Sequence, residues 1–261
     1  MQDCGVPDSP TVPMRTPPPP FRRVEVVQNR ALNPRMRRIV LGGPELAGMA
    51  QPGPAASVRL VVPWSGDTFE VPEWNGNEFL LSDGRRPALR TFTPVELDPT
   101  SSELTIDIVR HHGGAISGWA DQAAHGDTAA VSGPGRADSI DESAGRYVLL
   151  GDETAIPAIR QLIAAIPATI QIDAHIEIRA DGRLELPSHP RLTTTWHDTD
   201  PAAAPGNQLR EIVTELELDD DSRVWAAGEA AAVQAIRKHL FTERGMARHH
   251  TSIRGYWKLR E

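Results

Sequence analysis

Near residue 145 the hydrophobic period of the chain changes, and this change limits the folds open to it more than any other feature. From Phe21 up to that point, apolar residues come in short runs cut by Gly and Pro. Residues 24–27, 37–41, 57–62, 88–94, 103–109 and 128–132 read as strands. In the fifth of these, Leu104, Ile106 and Ile108 alternate with Thr105, Asp107 and Val109, the period-2 pattern of a half-buried strand. Strands at this spacing with turn residues between them predict a small β-barrel. Beyond residue 145 the apolar run at 147–150 has no alternation, as in a strand buried on both faces. Helices are predicted at 155–166, 208–216 and 230–244. Strands are predicted at 170–178, 191–196, 224–227 and 248–257. Strand and helix in alternation imply a parallel sheet with helices on its faces. The expected organisation is a proline-rich disordered tail (1–20), a barrel domain (21–142) and an α/β domain (143–261).

Composition narrows the function. With 27 Lys and Arg against 35 Asp and Glu, the net charge is −8. Nucleic-acid binding needs a basic surface and is not expected. No apolar run approaches the roughly 20 residues that span a bilayer, so no membrane partner is expected. The first residues lack a charged segment followed by an apolar one, and a cytoplasmic location is expected. The single cysteine, Cys4, excludes an intrachain disulfide and a four-cysteine iron–sulfur cluster. Electrons, if the protein moves them, must then come from a soluble donor. Nine histidines include the pairs His111-His112 and His249-His250. Adjacent residues on a strand point apart, so neither pair makes a metal-binding face, and no resident metal is expected.

Residues 90–135 carry the chemistry of an anion site. Arg90, in Arg90-Thr91-Phe92-Thr93, can give a charge-assisted contact to a pyrophosphate from a strand. Strand alternation puts Arg90 and Phe92 on one face and Thr91 and Thr93 on the other, so both faces serve one ligand only at a strand end. The run His111-His112-Gly113-Gly114-Ala115-Ile116-Ser117-Gly118-Trp119-Ala120 enters a helix through a glycine turn, which offers backbone N–H groups to the same anion. Gly126-Asp127 and Gly133-Pro134-Gly135 are turns. In the second half, Gly151-Asp152-Glu153-Thr154-Ala155 joins an apolar strand to a helix, the geometry of dinucleotide binding without its Gly-x-Gly-x-x-Gly signature. Thr154 also fits a helix N-cap ahead of Pro157.

Read together, these segments resemble the siderophore-interacting protein family, flavin-dependent ferric-siderophore reductases of the ferredoxin-reductase superfamily. That family writes an Arg-x-Tyr-Thr strand, a His…Gly-Pro-Ala-Ser-x-Trp-Ala turn and a Gly-Asp…Gly-Pro element in this order. Met36-Arg37-Arg38 and Pro44-Glu45-Leu46 match upstream. Asp152-Glu153-Thr154-Ala155, Ala227-Gly228-Glu229-Ala230 and Gly255-Tyr256-Trp257 match downstream. The resemblance covers nearly everything after residue 21. It implies an antiparallel Greek-key β-barrel for FAD, followed by a parallel-sheet domain for NADPH or NADH.

The resemblance also assigns residues. Arg90 and Gly114, Ala115, Ile116 and Ser117 would hold the flavin's phosphates, with Ser117 as a side-chain donor. Phe92 would stack on the flavin, the Thr93 hydroxyl would contact the isoalloxazine, Thr91 would belong to the same cofactor-binding strand, and His111 would serve hydrogen bonding or packing rather than base catalysis. Asp152, Thr154 and Ala155 would stand near the nicotinamide with Gly228 and Glu229, although Gly228 reads equally well as a plain strand-to-helix turn. Trp119 reads as core packing. No residue is assigned proton transfer, because the cofactor carries the redox chemistry. Arg59, Arg136 and Lys258 would meet an anionic ferric siderophore. Arg179 and Arg183 favour NADPH through its 2′-phosphate, or form a solvated loop. Three positions depart from the family pattern: Phe92 for Tyr, Val95 for a second arginine and Ala115 for proline. A C-terminal helical extension linked to ferredoxin as donor does not follow Trp257, which favours a nicotinamide donor with ferredoxin as the alternative. A monomer is expected. The competing functions are a flavin reductase with another acceptor and a siderophore- or flavin-binding module without turnover.

Overall fold

The computed structural model describes residues 17–111 and 113–259; Cys4, most of the proline-rich segment and His112 lie outside them. The first half forms β1 (Phe21–Asn33), β2 (Met36–Gly42), β3 (Val58–Val62), the short pair β4 (Glu73–Trp74) and β5 (Phe79–Leu80), β6 (Ala88–Phe92), β7 (Pro94–Asp98) and β8 (Glu103–Val109). Helix α1 (Ala115–Gln122) and β9 (Thr128–Ser132) complete it. Seven of these strands make one antiparallel sheet in the order β6-β3-β9-β1-β2-β8-β7. Its two edge strands, β6 and β7, are consecutive in the chain and separated only by Thr93. The sheet therefore curls until the chain itself joins its edges.

The sequence pattern read residues 88–94 as one strand and left 95–98 and the β4–β5 pair unassigned. Pro94 explains the first difference. It has no N–H to give the ladder, and the β7–β8 register slips between Pro94 and Glu96. Inside the curl, Ile39, Leu41, Leu60, Leu104 and Ile106 are wholly buried. Each such side chain contributes about 1.5–3 kcal/mol on leaving water.

The second half forms β10 (Arg146–Asp152), α2 (Ile156–Ala165), β11 (Gln171–Ile178), β12 (Leu192–Asp198), α3 (Asn207–Glu215), β13 (Ser222–Glu229), α4 (Ala230–Lys238) and β14 (Thr251–Trp257). The strands are all parallel, in the order β12-β11-β10-β13-β14. On β10, Tyr147 and Leu149 face α2, while Val148 and Leu150 face α3 and α4. Burial on both faces is why this strand reads as an unbroken apolar run. The helix expected to reach residue 244 leaves α geometry after Lys238 and continues as a π-type turn, His239–Glu243.

Three polar latches hold the curled sheet against the parallel one. At the β1–β2 turn, Arg35 pairs with Glu153, and the Asn33 amide donates to the Gly182 carbonyl at 2.9 Å. From α2, the Gln161 amide donates to the Pro94 carbonyl at 2.6 Å and accepts from the Ala55 N–H at 2.9 Å. Asp138, between the two sheets in sequence, accepts from the Trp225 indole at 2.9 Å, from the Ser252 hydroxyl at 3.0 Å and from Arg254. The arrangement fits the two-domain β plus α/β fold expected from the sequence.

Candidate functional site

Strand β6 and helix α1 stand side by side at one end of the curl. Phe92, Ala115 and Trp119 all pack on the same barrel core, which places Trp119 in the packing role expected of it. In the pairing with β3, Arg90 lies opposite Leu60 and Phe92 opposite Val58. Both partners point into the core, so Arg90 and Phe92 share the face on which α1 sits. Unlike Phe92, Arg90 is exposed. Its guanidinium bonds only the carbonyl of Leu89, at 2.7 Å, among the described residues. An arginine placed on a strand with so little to neutralise it is suited to an anionic ligand.

The start of α1 complements it. Gly114 is the N-cap, with no side-chain cap for the first turn. The N–H groups of Ala115, Ile116 and Ser117 are therefore available, as at any uncapped helix start. Ile116 sends its side chain into the core, so only its backbone can serve a ligand. The Ser117 hydroxyl is buried and accepts the His111 N–H at 2.9 Å; its own proton stays available to donate. The His111 ring lies over Gly114 and leaves no room there for a Cβ. Only glycine lets the turn come so close. Gly113 has φ of +80° with open space around it. An exposed arginine on the face against which α1 packs, together with a helix start that has no side-chain cap, fits a diphosphate, and hence FAD.

Thr93 is buried where the barrel meets the parallel sheet, and its hydroxyl lies 3.4 Å from that of Tyr256. Burial pushes the Tyr256 phenol up from its ordinary value, so it stays protonated. Thr91 is exposed and pairs with Arg59 across β6–β3. Arg59 thus lies on the face opposite Arg90, and its guanidinium sits 5.9 Å above the Phe79 ring. Arg136 and Lys258 are exposed, with no side-chain hydrogen bond or ion pair among the described residues. Two surface depressions lie apart from these residues. One is lined by Trp64, Asp67, Glu70 and Arg85, the other by Gln51, Val95 and Gln161.

The parallel sheet presents its carboxyl edge to the same junction. The order of its strands reverses between β10 and β13, the switch point at which such sheets bind ligands. Asp152 ends β10 there and is 8% exposed. Its Oδ1 accepts from the Thr154 N–H at 2.9 Å and from the Thr154 hydroxyl at 2.5 Å. Its Oδ2 accepts from the Glu229 N–H at 3.0 Å and from the Trp257 indole at 2.7 Å. Burial pushes the Asp152 carboxyl up to about 6, and these donors only partly counter it. Because the Thr154 hydroxyl gives its proton to Asp152, its oxygen remains free to accept from a ligand. Ala155 is wholly buried beneath α2, so its side chain serves the core.

Gly228 faces Asp152 directly. Its φ is +155°, and a Cβ would come within 2.6 Å of Asp152 Oδ2. Close packing therefore requires a glycine here, whatever its part in ligand binding. Glu229 caps α4 through the N–H groups of Ala231 at 2.6 Å and Ala232 at 3.0 Å. Burial alone would raise the Glu229 carboxyl, but the amides of Ala232, Leu259 and Ala231 hold it below the usual range. Away from the switch point, Arg179 pairs with Asp181 at 3.3 Å and Arg183 with Asp198 at 2.7 Å. Both arginines that favoured a 2′-phosphate are thus already matched by acids. Among the described residues no three His, Cys, Asp or Glu side chains lie close enough to hold a metal.

Comparison with known proteins gives the family. Residues 25–138 match the siderophore-interacting FAD-binding domain, and residues 144–260 match the siderophore-interacting protein domain. The chain belongs to the siderophore-interacting proteins, and its curled sheet is that family's FAD-binding domain. It is similar to a siderophore utilization protein from T. fusca at 34% identity, covering 92% of this chain and 94% of that one with a TM-score of 0.81. The siderophore-interacting protein SipS of Aeromonas hydrophila is 30% identical, with coverages of 93% and 100% and a TM-score of 0.75. The NADPH-dependent ferric-chelate reductase of Escherichia coli is 27% identical over 85% of this chain and 87% of its own. At the level of fold alone, the chain resembles phthalate dioxygenase reductase, at 18% identity and a TM-score of 0.59. No helix among the described residues is long and apolar enough to cross a membrane.

Proposed function

We propose that the protein is a cytoplasmic NAD(P)H-dependent ferric-siderophore reductase, with residues 21–142 as the flavin domain and 143–261 as the nicotinamide domain. Bound FAD supplies the redox chemistry, taking electrons in pairs from a nicotinamide and giving them singly to chelated Fe(III). The protein's part is to bind and orient. Arg90 neutralises the diphosphate, and the amides of Gly114 to Ser117 cradle it. Phe92 would pack against the flavin ring system, and Thr93 would offer it a hydroxyl. Thr154 and the backbone of Gly228 and Glu229 line the nicotinamide side. Arg59, Arg136 and Lys258 supply positive charge for an anionic chelate on a molecule whose net charge is −8. NADPH as donor is supported by the E. coli relative's name.

The observation that carries this reading is the pairing of an exposed Arg90 with the uncapped start of α1 on one face of the barrel. The test is direct. Protein reconstituted with FAD should be reduced by NADPH and, given a ferric catecholate, yield ferrous iron to a ferrous-specific dye. Reconstituted protein that stays colourless would contradict the flavin site; reduction of FAD without ferrous iron from any ferric chelate would leave a flavin reductase.

A further inference from the structure

Lys258 is the last of the cations read above as facing the substrate, and the backbone on both sides of it is tied down. On one side the Trp257 indole donates to Asp152 Oδ2 at 2.7 Å. On the other, the Leu259 N–H donates to Glu229 Oε1 at 3.2 Å. The ring closes because the Glu229 N–H itself donates to Asp152 Oδ2 at 3.0 Å. Asp152 and Glu229 are 8% and 5% exposed, whereas Lys258 is exposed. Two buried carboxylates from separate strands therefore fix residues 257 and 259, and the side chain between them projects from a held backbone. The cost of building this is visible at Gly228, where no side chain fits against Asp152.

We infer that Asp152 and Glu229 are positioning residues for Lys258, acting through the Trp257 side chain and the Leu259 amide. They hold the lysine ammonium at the carboxyl edge of the parallel sheet for an anionic ferric chelate. This rests on the substrate-side reading of Lys258 given under the proposed function. The chemistry is that of preorganisation: a long cationic side chain on a loose backbone loses affinity because ordering it falls to the ligand. Neither carboxylate needs to touch the chelate, and every oxygen of both already accepts from a protein donor.

The test uses the FAD-loaded protein and reads binding rather than turnover. Quenching of tryptophan fluorescence gives the Kd for an anionic ferric tris-catecholate and for a neutral ferric tris-hydroxamate. Trp257→Phe removes the indole donor and Leu259→Pro removes the amide donor, so each cuts the ring at a different bond; should one variant fail to fold, the other carries the test. Each should weaken tris-catecholate binding by roughly threefold to tenfold and change the neutral chelate much less. In a Lys258→Ala background neither cut should weaken it further. Additive losses, or equal losses for both chelates, would overturn the inference. So would a Lys258→Ala protein that binds the tris-catecholate as wild type does, a result that leaves the proposed function standing. Wild-type protein that binds neither chelate would instead bring down the proposed function, and this inference with it.

Discussion

The two ends of the candidate site are built on opposite plans. On the barrel side Arg90 is exposed, its guanidinium bonded among the described residues only to a neighbouring carbonyl, and α1 opens without a side-chain cap. On the parallel-sheet side Asp152 and Glu229 are buried and every oxygen of both accepts a protein donor. The barrel end leaves hydrogen-bonding capacity for an anion to satisfy. The other end satisfies itself, and what it offers a ligand is shape and fixed backbone. Changes on the first side should therefore read out in ligand affinity, and changes on the second in stability and geometry.

The largest expected effect sets the two glycine turns against each other. Gly228→Ala forces a Cβ against the Asp152 carboxylate at positive φ. It should cost roughly 3–4 kcal/mol in urea unfolding, strain and overpacking together. Gly113→Ala meets open space and should cost only about 1 kcal/mol, the penalty of positive φ alone. Equal costs would break the comparison.

The next effect is on pH. The Asp152 carboxyl is raised from 3.8 to about 6 by burial. Between those values the native state holds a proton that the unfolded chain has released. This group's contribution to stability is therefore greatest below pH 4, and up to about 3 kcal/mol is lost as pH rises through 6. The Trp257 indole, bonded to the titrating oxygen, should shift in the NMR spectrum with a midpoint near pH 6. A midpoint near 4 would mean that the carboxyl is open to water.

Two smaller effects complete the contrast. Arg90→Ala should weaken FAD binding by about 2 kcal/mol, near thirtyfold, as the loss of a charge-assisted contact. Unfolding of the flavin-free protein should move by no more than about 0.5 kcal/mol, since the side chain is exposed. Arg35→Ala removes a partly exposed ion pair across the two sheets and should cost about 1 kcal/mol. A loss much beyond that would show that this latch, rather than Gln161 or Asp138, dominates the junction.

What the sequence revealed divides along physical lines. The order of strands and helices was legible because local periodicity encodes burial, as the unbroken run at 147–150 and the alternation at 103–109 do. The edge strand β7 was not, because Pro94 and a bulge interrupt its pattern. Arg90 and the glycine turn were legible as chemistry carried by contiguous residues. The ring through Asp152, Glu229, Trp257 and Leu259 was not. Asp152 and Trp257 lie 105 positions apart, and no local signal marks an acid at a strand end as the acceptor for a distant indole. Arg179 and Arg183 read equally as partners of a 2′-phosphate or as a solvated loop; Asp181 stands two positions from Arg179 in the sequence, whereas Asp198 meets Arg183 only through the fold.

On the proposed function, electrons pass from a nicotinamide through FAD to chelated iron at this site. Anaerobic rapid mixing of the FAD-loaded protein with NADPH, then with a ferric tris-catecholate and a ferrous-specific dye, tests it in one trace. The account predicts bleaching of the flavin, then recovery of its colour in step with two ferrous complexes for each flavin. Flavin that bleaches and stays bleached while the ferric chelate remains intact would contradict it.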